Sequence, residues 1–208
     1  GAFNLKELYR GTILREGYPR NSIFFDQEHG RLLKEVLGYQ GCQLSVYMPT
    51  FRGRTDDVEG DTYVEQVRSY LEVIDKGMQD DQILLLKLHP LVQKGLDLDN
   101  YRHIRPFPSE LDTYDVLNAC DVLITDYSSV MYDFANTGRK IILFAYDLED
   151  YMGHRGMYED IRSYPFPIAV TPEEVLSELQ EPGGGADREF LDIEATEGME
   201  YEFLCVTK

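Results

Sequence analysis

Four short apolar runs punctuate the chain, at residues 44–48, 83–88, 122–125 and 141–145. Each is rich in Ile, Leu or Val without clean alternation, the pattern of strands buried on both faces. Between the first two, Val64, Val67, Leu71, Ile74 and Met78 form a stripe at helical spacing. A strand, helix, strand series predicts a parallel sheet with right-handed crossovers. Further helices are expected around residues 28–37, at 111–119, where Leu111, Tyr114 and Leu117 share a face, and from Thr171-Pro172-Glu173-Glu174, which offers an N-cap, an N1 proline and a capping-box Glu. Weaker strands are expected at 101–104, closed by Arg105-Pro106-Phe107-Pro108, and at 168–170.

These elements predict one three-layer α/β domain over residues 40–180, with five or six mostly parallel strands. Residues 1–39 read as a linker and an incoming helix, with turn-forming Gly17-Tyr18-Pro19-Arg20-Asn21 between them. Glu181-Pro182-Gly183-Gly184-Gly185 breaks the last helix and leaves 181–208 as an acidic C-terminal extension.

Composition supports a real core: 208 residues are 43% hydrophobic and 28% charged. The net charge of −18 argues against a nucleic-acid partner, whose phosphates call for cations. Eleven acids against one base lie between Glu173 and Glu202, which reads as a solvated helix and tail or as an interaction tail. Cys42, Cys120 and Cys205 are odd in number and lack ligand spacing, so neither a disulfide framework nor a metal site is expected. No run approaches the ~18 apolar residues of a membrane span, and the first ten residues lack a signal-peptide layout, so a cytoplasmic setting is expected. The chain starts Gly1-Ala2-Phe3, which reads as a piece of a longer protein.

In an open parallel sheet, ligands bind beyond the carboxyl ends of the strands. The residues there are polar: Pro49-Thr50-Phe51-Arg52 after the first run, Lys87 and His89 at the end of the second, and Asp126-Tyr127-Ser128-Ser129 after the third. Two serines running into a helix read either as an anion site or as ordinary N-caps. Asp126 reads equally as a turn-former, and Asp133 as a polar residue facing out of the helix. Arg20, Arg52, Lys87 and Arg155 sit at expected loops or strand ends, suited to a pyrophosphate or to pairing with the abundant carboxylates. Neither GxGxxG nor GxxxxGK[ST] occurs.

Taken in order, GYPRN, YMPTFRG, LLLKLHPLV, CDVLITDYSSVMYDF and YMGHRGMYED closely resemble the nucleotide-binding C-terminal half of the CDP-glycerol glycerophosphotransferases, the teichoic acid polymerases and primases. The resemblance implies a Rossmann-like domain, one half of a GT-B fold, that holds CDP-glycerol or CDP-ribitol and needs no cofactor. It implies that Arg20, Pro49, Thr50, Lys87, His89, Ser128, Ser129 and Asp133 contact the CDP-alcohol, with Arg52 and Arg155 as further cations. The implied chemistry is attack of a glycerol or ribitol hydroxyl on the β-phosphorus, with loss of CMP. His89 would be catalytic, stabilising charge as imidazolium or protonating the leaving phosphate. The acceptor, a lipid-linked glycan or polyol phosphate, and the base would come from another half of the protein, at the inner face of the membrane, so this domain alone is expected to be inactive. Two departures stand out: Lys87 replaces the family's usual Arg, and the segment after Gly185 does not match. His29-Gly30 has the letters of the family's basic motif but follows GYPRN instead of preceding it. Competing readings are a GT-B transferase using nucleotide sugars and a receiver-like domain phosphorylated at Asp126; the second lacks the paired acids expected after an early strand.

Overall fold

The structure, a computed structural model, describes residues 18–50, 59–149 and 161–185. Its strands are β1 (Gln43–Met48), β2 (Gln82–Leu86), β3 (Ile104–Pro106), β4 (Val122–Thr125), β5 (Lys140–Phe144) and β6 (Ile168–Ala169). They form one sheet, parallel throughout, in the order β3-β2-β1-β4-β5-β6. The helices are α1 (Gln27–Val36), α2 (Glu59–Gly77), α3 (Pro90–Gln93), α4 (Thr113–Ala119), α5 (Val130–Ala135) and α6 (Pro172–Gln180), with a 3-10 segment, Pro19–Phe25, ahead of α1.

Side chains alternate between two apolar layers. Leu44, Leu85, Leu123 and Ile141 face a core shared with Phe24 and Phe134. Tyr47, Leu84, Ile124 and Phe144 face the other, shared with Leu71 of α2 and Val175 of α6. Because both faces are apolar, the strands show as unbroken runs in the sequence. This is the Rossmann-like three-layer arrangement that the resemblance implied.

Strand limits differ from expectation by two residues or more at β2 and β3. β2 stops at Leu86, although Lys87 N–H still donates to the Tyr47 carbonyl at 3.0 Å. The edge strand begins at Ile104 instead of 101, because the Arg102 and His103 amides donate to the Asp75 carboxylate at 3.0 and 2.7 Å and turn the chain first. Pro106 is tolerated in β3 because that strand lies at the sheet edge. At α6, Thr171 Oγ1 accepts from the Glu174 amide at 3.2 Å, and Glu174 reaches back to the Val170 amide at 2.7 Å, close to the expected capping box. The expected acidic extension lies outside the described residues beyond Gly185.

The incoming helix α1 is packed tightly onto α4. A Cβ on Gly30 would run into the Asn118 carbonyl oxygen, and Asn118 Nδ2 donates to the Asp26 carbonyl at 2.8 Å. Gly30 is therefore a close-approach glycine in this chain. Gly30→Ala gains about 1 kcal/mol of helix propensity, but forcing two backbones apart costs about 1–3 kcal/mol. The variant is expected to unfold at lower urea concentration than the parent, and an unchanged midpoint would contradict the packing.

Candidate functional site

The sheet order reverses direction between β1 and β4, so their carboxyl ends border a crevice. The last residue pair in that ladder is Met48 with Thr125, and Thr125 Oγ1 donates to the Met48 carbonyl at 2.7 Å. Immediately beyond, Asp126 is 1% exposed. Its carboxylate accepts from the Thr50 amide at 2.9 Å, the Thr50 hydroxyl at 2.7 Å and the Tyr127 amide at 2.6 Å. The turns after β1 and β4 are thus bound to one another.

Ser128 and Ser129 lead into α5. Ser129 makes no side-chain cap hydrogen bond, and Ser128 Oγ lies a long 3.5 Å from the Val130 amide. The N-cap reading accounts poorly for this pair, and its hydroxyls are open to a ligand. Just past β2, Lys87 and His89 lie at the same edge as Ser128, because β2, β1 and β4 are parallel. His89 is exposed, and its carbonyl accepts from the Val92 and Gln93 amides at 2.9 and 3.1 Å, which starts α3.

Lys87 is half-buried, with its ammonium 4.1 Å from the centroid of the Phe107 ring. Among the described residues it has no hydrogen-bond or ion-pair partner for that ammonium, whereas Arg31, Lys34, Arg68, Arg102, Lys140 and Arg162 all pair with carboxylates. Burial lowers the Lys87 pKa, and the more distant Asp112 only partly counters it. A desolvated cation of this kind favours an anionic ligand.

Arg20 behaves differently. Its guanidinium lies 3.9 Å from the Tyr18 ring centroid and donates to Asp133 Oδ2 at 2.9 Å. Tyr114 Oη donates to the same Oδ2 at 2.7 Å. Asp133 is 4% exposed, so the alternative that it faces out of the helix fails: the Pro19–Phe25 segment and α4 cover that face. Asp133 stands one helical turn from Ser129 on α5, which sets the half-exposed Arg20 near the serine turn. Burial opposes the charge on Arg20, but the Asp133 hydrogen bond and charge outweigh it and raise its pKa. Burial and then Asp133 push the Tyr114 hydroxyl up to about 12.

Pro49, Thr50, Lys87, His89, Ser128 and Ser129 therefore share one edge, with Arg20 and Asp133 joined beside them. Arg52 and Arg155 lie outside the described residues. The residue reading missed Tyr114, which appeared only as a member of an apolar face, and Tyr18 and Phe107, whose rings bracket the two cations. A crevice of about 280 Å³ at the opposite edge, lined by Gln43, Asp121, Lys140 and Glu181, has its lysine already paired with Glu178.

A parallel open sheet with its crevice at a switch point defines a Rossmann-like α/β domain. More particularly, the chain belongs to the CDP-glycerol:poly(glycerophosphate) glycerophosphotransferase family, whose model matches residues 1–192. It is 34% identical over 178 residues to the teichoic acid poly(glycerol phosphate) polymerase of Staphylococcus epidermidis, covering 81% of this chain and 24% of that protein. It is 27% identical to the teichoic acid glycerol-phosphate primase of Bacillus subtilis, covering 87% and 45%. The wall teichoic acid polymerase TagF superposes with a TM-score of 0.64 at 30% identity, over 82% of this chain and 42% of that one. A TagF variant soaked with CDPG gives a TM-score of 0.66 at 31% identity, over 81% and 42%. The chain thus spans less than half the length of these relatives.

Asp133→Asn removes the carboxylate but keeps the shape. The Tyr114 pKa is expected to fall from about 12 yet stay above the ordinary 10.0, because burial persists. Tyrosine ring-carbon NMR against pH reads this directly, and an unmoved titration would mean that Asp133 does not bear on Tyr114.

Proposed function

We propose that this domain binds the CDP-alcohol donor for transfer of glycerol phosphate or ribitol phosphate to a lipid-linked or polymeric acceptor in teichoic acid or capsular polymer synthesis. The observation that carries this is the half-buried Lys87 ammonium at the carboxyl edge, which has only the Phe107 ring, whereas other partly buried described cations, Lys34, Arg105, Arg139 and Lys140, have carboxylate or carbonyl partners. The ligand supplies the missing anion. Family membership and the solved relative with CDPG support a CDP-alcohol as its source.

In this reading, an acceptor hydroxyl oxygen forms a bond to the β-phosphorus while the bond from that phosphorus to the bridging oxygen breaks. CMP leaves with the electron pair, and the hydroxyl proton passes to a base. Lys87, Arg20 and the Ser128 and Ser129 hydroxyls bind and offset the charge that gathers on the phosphate oxygens. His89, next to Lys87 on the same strand end, donates to the leaving phosphate. Pro49 and Thr50 form the facing rim; Asp133 contributes by holding Arg20; Arg52 and Arg155 add cations to the same donor. The reaction takes place at the cytoplasmic face of the membrane, where the lipid-linked acceptor is presented. No described helix is long and apolar enough to cross that membrane.

Lys87→Met tests the reading with two readouts of opposite sign. Losing a charged contact to phosphate is expected to weaken CDP-glycerol binding by about 1.5–3 kcal/mol, measured by calorimetry with UDP-glucose as a competitor control. Stability is expected to hold or rise. Since the folded pKa of Lys87 is lowered, the unfolded chain binds more protons between that value and the ordinary 10.5, and stability contributed by this group rises with pH across that window. Lys87→Met should remove that rise. Unchanged affinity in a folded variant would refute the donor-site assignment of Lys87.

Replacing both serines, Ser128→Ala with Ser129→Ala, should lower the same affinity by about 1–3 kcal/mol. Melting temperature should move little, because neither hydroxyl makes a good cap bond. A large stability loss with intact affinity would return the pair to a capping role.

A further inference from the structure

The donor edge is assembled from two segments that are far apart in the chain. Thr50 follows β1, and the serine turn follows β4; Thr50 and Asp126 are separated by 76 residues. The paired register of these strands ends at Met48 and Thr125. Beyond that pair, the Asp126 carboxylate joins the two turns, taking the amide and the hydroxyl of Thr50 as well as the Tyr127 amide.

Turning the chain after β4 requires only the local bond to Tyr127, and a neutral Asn or Ser can make such a bond. A carboxylate 1% exposed is a costly way to form a turn unless its oxygens satisfy several donors at once. Here two of those donors belong to the other strand's turn. The charge is spent on the spacing between the turns.

We propose that Asp126 is the positioning residue of the donor site, fixing the Thr50 turn against Ser128 and Ser129 so that the serine hydroxyls and Lys87 converge on one phosphate group. This rests on the donor-site reading above. It also assigns Thr50 a distinct part: its hydroxyl proton is committed to Asp126, so Thr50 does not donate that proton to the phosphate. Thr50 instead transmits the position of Asp126 to the β1 side of the crevice.

The test measures CDP-glycerol affinity of the full chain by calorimetry, well below the melting temperature of each variant. Asp126→Asn keeps the shape but faces Thr50 with an amide in place of one oxygen; it is expected to lose about tenfold in affinity. Thr50→Val is expected to lose several-fold, and Thr50→Ser to stay within about twofold of the parent, because the hydroxyl bond to Asp126 is restored. The double variant Asp126→Asn with Thr50→Val should bind no worse than Asp126→Asn alone, since the two changes cut one linkage. Full additivity would overturn the proposal, as would parental affinity in either single variant. Should Asp126→Asn fail to fold, loss in Thr50→Val with retention in Thr50→Ser still supports it, and parental affinity in Thr50→Val still overturns it. Absence of binding by the parent chain would overturn the donor-site reading and this inference together; parental binding left intact by the variants would overturn this inference alone.

Discussion

The parallel ladder between β1 and β4 sets the position of the described strand-end groups. Crossovers run outward from β1 through β2 to β3 on one side and from β4 through β5 to β6 on the other. The β1–β4 junction is therefore the switch point of the sheet, the place where an open α/β sheet leaves a crevice at its carboxyl ends. Because the strands are parallel, the segments that follow β1, β2 and β4 all emerge at that edge, which is why residues as distant in sequence as Thr50, Lys87 and Ser128 come to share it. The same ladder buries Val46 and Leu123 completely, so the edge stands on a rigid base.

Charge is distributed on this scaffold with a clear asymmetry. The chain carries 38 acids against 20 bases, an excess in which a partly buried cation with neither a carboxylate nor a carbonyl partner stands out. Lys34 is held by Asp121, Lys140 by Glu178 and Arg20 by Asp133. Lys87 instead lies over the Phe107 ring, an arrangement that gives partial compensation for a buried ammonium but no counter-charge. Keeping it charged opposes folding, a local conflict that the phosphate of the proposed donor would relieve. Arg20 shows a complementary solution: it is paired and stacked, yet half-exposed, so one carboxylate orients it without burying it.

The sequence made the strands legible because burial on both faces compresses them into unbroken apolar runs. β3 escaped this, since three residues at a sheet edge leave little pattern and its start is decided by Asp75 on another element. Site positions were legible wherever a strand end or a motif carried them, as with Lys87, His89 and the serine pair. The partnerships were not. Asp133 was open to an outward reading because its surroundings come from the Pro19–Phe25 segment and from Tyr114, neither of which periodicity around residue 133 can reveal. Asp126 reads locally as a turn-former whether or not Thr50 reaches it, since the second half of its role lies 76 residues away.

The described histidines divide in the same way, and their placement narrows the chemistry. His103 is buried just ahead of β3, at the amino edge, with Nδ1 3.0 Å from the Gln82 carbonyl oxygen. His29 lies in the contact between α1 and α4, with Nε2 3.2 Å from Asp115 Oδ1, beside a glycine that packing demands. Only His89, among the described residues, stands where a phosphate could meet it. In the proposed transfer, an imidazole just past β2, two residues from an unpaired ammonium, would serve the leaving side, where charge accumulates as the bridging bond breaks. The attacking side calls for a base on the opposite face of the phosphorus, because attacking and leaving oxygens lie roughly in line. One sheet edge cannot occupy both faces, so under the proposed donor role the acceptor and its base would belong to a wall across the crevice.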